Sequence, residues 1–403
     1  MTDREALHAE IAARYLPDEL LERLRDRAAA SDRENAFFDA DLAELREHGY
    51  LTTLVPEDFG GPGLTLNQVQ RLQQRLAGAA PATALAINMH LLCVGVARTL
   101  HLRGDRSLER VFTEAMAGEV FAFGISEPGN DWVLQGSGTA AVPQPNGDYL
   151  LSGVKIFTSL SPVWTRLIVH GLDVSNGDEP QLVYGFLERD GVSGEGPQGA
   201  EGSGNGISTA GEWDVLGMRA SHSRATVLEE ARLRADRVVR RLPPGRHPDL
   251  LVFAITSNFQ LLVGSVYAGV AARALDIAAE GLHRRRSEKA GTTLADVPEH
   301  RTRLADAHFD YLPVPAQLDS YSRDLDELVD HGAGWPLRLV SARLHAGRVA
   351  RACAETALAC AGGAGYSNSH EASRLMRDAT ASLFHPPSAD AARPMFAAAL
   401  LDD

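Results

Sequence analysis

Phe121-Ala122-Phe123-Gly124-Ile125-Ser126-Glu127-Pro128-Gly129-Asn130-Asp131 is where the chain changes character. Before it, from Asp18 to Gly118, apolar residues recur at helical spacing, as in Leu42, Leu45, Leu51 and Leu54. A Pro/Gly break from Val55 to Gly63 interrupts that pattern, and Thr65 reads as the N-cap of a helix running from Leu66 towards Gly78. After it, up to Arg240, short apolar or alternating runs are divided by turn clusters: Phe121–Ile125, Tyr149–Leu151, Leu167–Val169, Gln181–Leu187 and Ala225–Leu228. Asn146-Gly147-Asp148 is a hairpin turn, and the Gly-rich stretch 196–206 is a surface loop. Leu242-Pro243-Pro244-Gly245-Arg246-His247-Pro248 is a linker. Beyond it, Asp249–Arg286, Pro298–Leu328 and Pro336–Gly362 read as long helices and Glu371–Phe384 as a shorter one, enough for a four-helix bundle. The expected fold is α+β, with a helical domain over 1–120, a small β-barrel or sheet domain over 121–240 and a helical bundle over 248–403.

Composition removes several classes of function. The 403 residues are 44% hydrophobic and 23% charged, as in an ordinary globular enzyme, and 39 basic against 53 acidic residues give a net charge of −14 without a basic block. Nucleic acid and an anionic membrane surface are therefore excluded as main partners. No apolar stretch reaches the roughly 18–20 residues of a membrane span. Met1-Thr2-Asp3-Arg4-Glu5 lacks a signal-peptide pattern, so the expected location is cytoplasmic. Cys93, Cys353 and Cys360 have no zinc or disulfide-framework spacing, and no metal is expected.

Four segments carry polar chemistry next to glycine or strand ends. The opening stretch ends a strand on Ile125 and Ser126, exposing backbone N–H groups and a hydroxyl. Leu151-Ser152-Gly153-Val154-Lys155-Ile156-Phe157-Thr158-Ser159 offers an aromatic face at Phe157 and a donor at Thr158 for a flat heterocycle. Trp213-Asp214-Val215-Leu216-Gly217-Met218-Arg219-Ala220-Ser221-His222-Ser223 brings a cation, Arg219, beside two hydroxyls and an indole; Arg219 suits a carboxylate or phosphate, or a structural ion pair. Gly362-Gly363-Ala364-Gly365-Tyr366, followed by Arg374-Leu375-Met376-Arg377-Asp378, permits close backbone approach by a ligand or simply caps a helix.

In this order, and with Val55-Pro56-Glu57-Asp58-Phe59-Gly60-Gly61-Pro62-Gly63 before them, the segments resemble the acyl-CoA dehydrogenase family over nearly the whole chain. The resemblance implies FAD, or FMN if the chain follows the monooxygenase-like branch of that fold. It places Ile125 and Ser126 at the pyrimidine side of the ring, Phe157 and Thr158 at its face and N5, and Gly362 and Gly363, from a neighbouring subunit, at the pyrophosphate and adenosine. It also implies a homodimer or homotetramer, and substrate contacts from Asp131, Arg219 and His90, with His222 on the same side. The Arg-x-x-Phe-Gly stretch that reaches FAD phosphate in the family is missing; Arg286 or Arg285 stands in its place.

The chain departs from the family where a dehydrogenase needs its base. Removing a proton from the α-carbon of an acyl thioester takes a positioned Glu. Its expected place after the Arg377-Asp378 pair falls on Pro386, or on His385 with one deletion, and the alternative place on the long helix falls on Phe259, between Asn258 and Gln260. None is a carboxylate. Three functions follow: an FAD-dependent desaturase of an acyl thioester on CoA or a carrier protein, with His385 or an unplaced residue as base and an electron-acceptor protein; a monooxygenase of the same fold, using O2 and flavin reduced by a separate reductase; or a flavin-binding protein without catalysis.

Overall fold

A computed structural model describes residues 3–189 and 205–402. Of the Gly-rich stretch expected as a surface loop, residues 196–204 lie outside the described residues. The N-terminal helices are α1 (Asp3–Tyr15), α2 (Asp18–Glu34), α3 (Asp39–Glu47), α4 (Leu66–Ala79), α5 (Pro81–Leu102) and α6 (Arg110–Met116). The Thr65 hydroxyl accepts the Gln68 N–H while the Gln68 side chain returns to the Thr65 N–H, so α4 starts on a reciprocal capping box.

The strands are β1 (Phe121–Gly124), β2 (Ala140–Pro143), β3 (Tyr149–Lys155), β4 (Arg166–Asp173), β5 (Gln181–Glu188), β6 (Ile207–Ala210), β7 (Ala225–Leu233) and β8 (Val238–Leu242). They form one sheet in the order β6-β7-β3-β2-β4-β5-β8, and β1 adds parallel to β4, pairing Phe121 with Arg166. The Asn146-Gly147-Asp148 turn joins β2 to β3, with Gly147 at φ +88° where a side chain would be strained.

The C-terminal helices are α7 (Leu250–Arg284), α8 (Pro298–Tyr311), α9 (Pro313–Asp326), α10 (Trp335–Ala361), α11 (Glu371–Thr380) and α12 (Ala389–Leu401). The single helix expected over 298–328 is two, because Pro313 has no N–H to continue the ladder and opens a new helix instead. α7, α8, α9 and α10 make the four-helix bundle, with α11 against α10 and α7. The helix expected to run to Phe384 ends at Thr380 in a short 3-10 turn, and α12 was not expected at all.

The expectation that no apolar run is long enough to cross a membrane also needs correcting. α5 and α7 both are, with mean hydropathy 1.4 and 1.6, but 94% and 72% of those windows are buried within the fold. A helix apolar all round is buried all round, and these two are the core. α4 crosses α7 with backbones in contact at Gly269, where an added Cβ would overlap the Gln74 carbonyl. α7 then carries Phe259, Gln260 and Tyr267 towards the end of β1.

Candidate active site

Two clusters lie near the end of β1, one on the sheet side and one on the bundle side. On the sheet side, the Ile156 N–H donates to Ser126 O (2.9 Å), tying the end of β3 to the loop after β1. Ser126 is therefore set near Phe157 and Thr158. Phe157 sits at φ +56°, an uncommon backbone state for a bulky residue; the residue is 52% exposed, with its ring edge-on to Trp213 at 6.4 Å between centroids. Thr158 is buried; its N–H donates to Arg224 O (3.2 Å), yet its hydroxyl has no partner. A buried hydroxyl left unpaired costs about 1–3 kcal/mol. These residues fit a flavin ring: an aromatic face is open, and the orphan Thr158 hydroxyl would have a donor to offer a ring acceptor. Thr158→Val is accordingly expected to weaken flavin binding about tenfold while leaving the melting temperature of the flavin-free protein unchanged or raised, as checked by fluorescence titration and thermal melting.

Behind these residues lies a fully bonded ionic cluster. Lys155, 0% exposed, donates to Glu127 Oε1 (2.5 Å), to His170 O (2.6 Å) and to His170 Nδ1 (3.1 Å). Val133 O can only accept, so the His170 Nε2 that faces it at 2.7 Å carries the proton and Nδ1 presents its lone pair to the ammonium. The Glu127 carboxylate also accepts from Ser137 and Thr139 hydroxyls and the Gly138 N–H. Burial opposes the Glu127 charge, but Lys155 and these donors outweigh it and bring its pKa down to about 2. Burial brings Lys155 down to about 8 against the pull of Glu127.

On the bundle side, rings stack from the sheet inward. Phe123 faces Phe259 at 6.0 Å, Phe259 faces His385 at 6.3 Å, and the Tyr267 hydroxyl meets His385 Nε2 at 2.6 Å. The three positions where a carboxylate base was sought thus form one unit. Gln260 Nε2 donates to Pro386 O (3.1 Å), Arg343 Nε donates to Gln260 Oε1 (2.9 Å), and the same guanidinium donates to Pro387 O. Burial first, then the Arg343 charge, pushes the His385 imidazole down to about 3. At neutral pH it is uncharged and a very weak proton acceptor, which argues against the catalytic role the sequence suggested for it.

The three substrate residues suggested by resemblance are not brought together. His90 is fully buried on α5, with Nε2 on Leu51 O (3.0 Å) and Nδ1 accepting the Phe121 N–H (3.2 Å), so neither nitrogen is free. Arg219 donates to Asp32 O and Val215 O and pairs with Asp214. Asp131 is exposed in the turn after β1. His222 bonds Asn35 O through Nε2 (2.9 Å). Among the phosphate candidates, Arg286 is exposed and donates to Gly291 O (3.1 Å), while Arg285 reaches Cys360 O and lies where a Cβ on Gly362 would be; Gly363 is open. The glycine at 362 thus makes room for Arg285 of its own chain at φ +62°.

Sequence reasoning missed Tyr267 and Arg343. Arg343 left a signal, since it interrupts the buried face of α10 between Leu339 and Ala346. A charge on such a face is rare without a purpose. Tyr267 left none, because a Tyr within an apolar helix reads as core.

Residues 8–118 match the model for the acyl-CoA dehydrogenase N-terminal domain and residues 256–384 that for the C-terminal domain. L-evernosamine nitrososynthase of a Micromonospora species is 29% identical over 377 residues, covering 91% of this chain and 84% of that protein. Dibenzothiophene monooxygenase of Rhodococcus qingshengii is 27% identical over 271 residues, 65% of this chain and 60% of its own length. The structure of KijD3 in complex with FMN and dTDP-3-amino-2,3,6-trideoxy-4-keto-3-methyl-D-glucose superposes with a TM-score of 0.82 at 25% identity, covering 99% of this chain and 94% of that one. The chain belongs to the acyl-CoA dehydrogenase family and is a flavoprotein oxidoreductase of its fold.

Proposed function

We propose that this protein is a flavin-dependent monooxygenase that oxygenates a nucleophilic heteroatom, foremost the amine nitrogen of an amino sugar, and that it does not desaturate acyl thioesters. The observation that carries this reading is the occupation of the base positions. Phe259 and Pro386 have no titratable group, and His385 is held at about 3 beside a buried cation. Nothing there accepts an α-proton at neutral pH, whereas oxygen transfer to a lone pair needs no such base. The nitrososynthase relatives support an amine as substrate, and the dibenzothiophene monooxygenase supports an electron-rich heteroatom more generally.

When bound in its reduced form, the flavin supplies two electrons and the activation of O2. One oxygen atom joins the substrate nitrogen, giving a hydroxylamine from a primary amine, and the other leaves as water with two protons. A separate flavin reductase is the partner this stoichiometry calls for. The protein's own part is placement and enclosure. Thr158 and the backbone at Ile125 and Ser126 hold the ring edge, whether of FAD or FMN. Phe123, Phe259 and His385 form an uncharged wall that keeps bulk water from the reacting face. The Gln260 and Arg343 hydrogen bonds fix the 385–387 segment against that wall. A homodimer or homotetramer is the assembly we propose, with exposed Phe309 and Phe384 at 72% and 69% among the apolar groups it would cover.

Mixing the oxidised holoprotein anaerobically with saturated acyl-CoA thioesters of several chain lengths is expected to leave the flavin yellow. Bleaching by any of them at a catalytic rate would return the chain to the desaturases.

A further inference from the structure

Resting on that function, we propose that Arg343 sets the charge state of the substrate: its buried guanidinium, lacking a carboxylate partner, turns away an ammonium and admits the neutral amine with its lone pair free. Arg343 is 1% exposed on α10, and among the described residues it forms no ion pair. Its recorded acceptors are uncharged, Gln260 Oε1 and Pro387 O. A buried cation is ordinarily matched by an acid, and leaving one unmatched is costly. Here the unmatched charge stands directly behind the Phe259–His385 wall, at whose positions the resemblance would place a carboxylate.

The sign of the local field is thereby reversed. A carboxylate at this place would attract an ammonium and keep it protonated, and a protonated nitrogen cannot take up an oxygen atom. A guanidinium does the opposite, and the low-dielectric surroundings extend its reach. The side chains in contact with this wall bring no opposing charge. Tyr267 from α7 and His385 after α11 are both uncharged at neutral pH, and Arg351 on α10 adds to the positive field at Tyr267. The acid that reaches this cluster is Asp378 on α11; it acts on Tyr267, accepts the Met218 N–H, and burial raises its pKa to about 6. Asp378 titrates within the pH range scanned below but is common to every variant, so its contribution cancels in comparison.

The test uses the flavin-loaded protein and two probes, the dTDP-linked 3-amino sugar found with KijD3 and its 3-hydroxy counterpart, which cannot carry the charge. Binding of each is measured by calorimetry from acid to alkaline pH, and amine oxygenation is followed with reductase present. Well below the pKa of the free amine, Arg343→Met is expected to bind the amine about tenfold tighter, relative to the hydroxyl probe, than the parent does. At saturating amine and neutral pH the same variant is expected to oxygenate about tenfold more slowly, because about one pH unit separates the two bound amines. Tighter binding with slower turnover is a pattern that simple loss of packing does not produce. Gln260→Met breaks the same hydrogen-bonded clamp and keeps the charge, so its amine-to-hydroxyl ratio is expected to match the parent at every pH. An unchanged ratio in Arg343→Met with flavin fully bound, or an equal shift in Gln260→Met, would overturn the proposal. Binding of both probes without oxygenation would overturn the monooxygenase reading instead, and binding of neither would remove the amino-sugar substrate and this inference with it.

Discussion

Lys155→Met is expected to lower the unfolding free energy by about 3–5 kcal/mol, the usual cost of removing one partner from a buried ion pair. The ammonium fills all three of its donor positions, on Glu127, His170 O and His170 Nδ1, so no part of it is spare. Methionine matches its length but leaves the Glu127 carboxylate with only hydroxyl and amide donors, His170 Nδ1 without a donor, and His170 O with the Ser137 hydroxyl at 3.4 Å. The loss should be smaller in Glu127→Gln combined with Lys155→Met, where no charge remains. The pH dependence has a definite sign. Glu127 titrates near 4.5 when unfolded and near 2 when folded, so its stabilisation is present above 4.5 and is lost as pH falls towards 2. Denaturant titrations at neutral pH and at pH 3 test both parts. The difference between the parent and the double variant should narrow at the lower pH.

Gly269→Ala is expected to destabilise the fold by about 2–3 kcal/mol, even though alanine gains about 1 kcal/mol in helix propensity. The added Cβ would overlap the Gln74 carbonyl and stand 2.8 Å from Ala77 Cβ. A backbone carbonyl inside α4 cannot move without bending that helix, so α7 must shift instead. Because α7 carries Phe259, Gln260 and Tyr267, flavin and substrate affinity should fall with stability. Gly78, on the facing surface of α4, is the control. Its added Cβ would meet the Gly269 carbonyl at 3.7 Å, an ordinary contact, and Gly78→Ala is expected to be neutral or stabilising by up to about 1 kcal/mol. Comparable losses for the two variants, measured by chemical denaturation, would contradict this account of the crossing.

Most of the layer order could be read from sequence because periodicity reports burial. The change from helical spacing to short runs at Phe121, and the Pro/Gly linker at 242–248, mark real changes of element type. The break at Pro313 is masked in the sequence because apolar spacing continues across it. The apolar runs of α5 and α7 are hidden in the sequence for a related reason. Scattered Asn, His, Ser and Gln interrupt the apolar run in sequence, yet in the fold they bond to buried partners, as Asn258 does to Thr99. At the site, local motifs name the residues of the sheet side, Ser126 after β1 with Phe157 and Thr158 after β3. The bundle side is less legible, because it joins residues 259, 260, 267, 343 and 385–387, which only the bundle brings together. His385 shows the limit most clearly. Its type suggests a base, but its enclosure by Phe259, Tyr267 and Arg343 decides its basicity, and that enclosure is a property of the fold.

The central claim is that the chain moves an oxygen atom rather than a hydride, and isotope labelling tests it most directly. The flavin-loaded protein would be supplied with a reductase, the dTDP-linked 3-amino sugar and isotopically heavy O2, and the product examined by mass spectrometry. The account predicts an oxidised amine carrying the heavy oxygen, and no label in it when the heavy isotope is supplied in water instead. Product oxygen drawn from water, or reduction of the flavin by an acyl thioester with no amine oxidised, would contradict it.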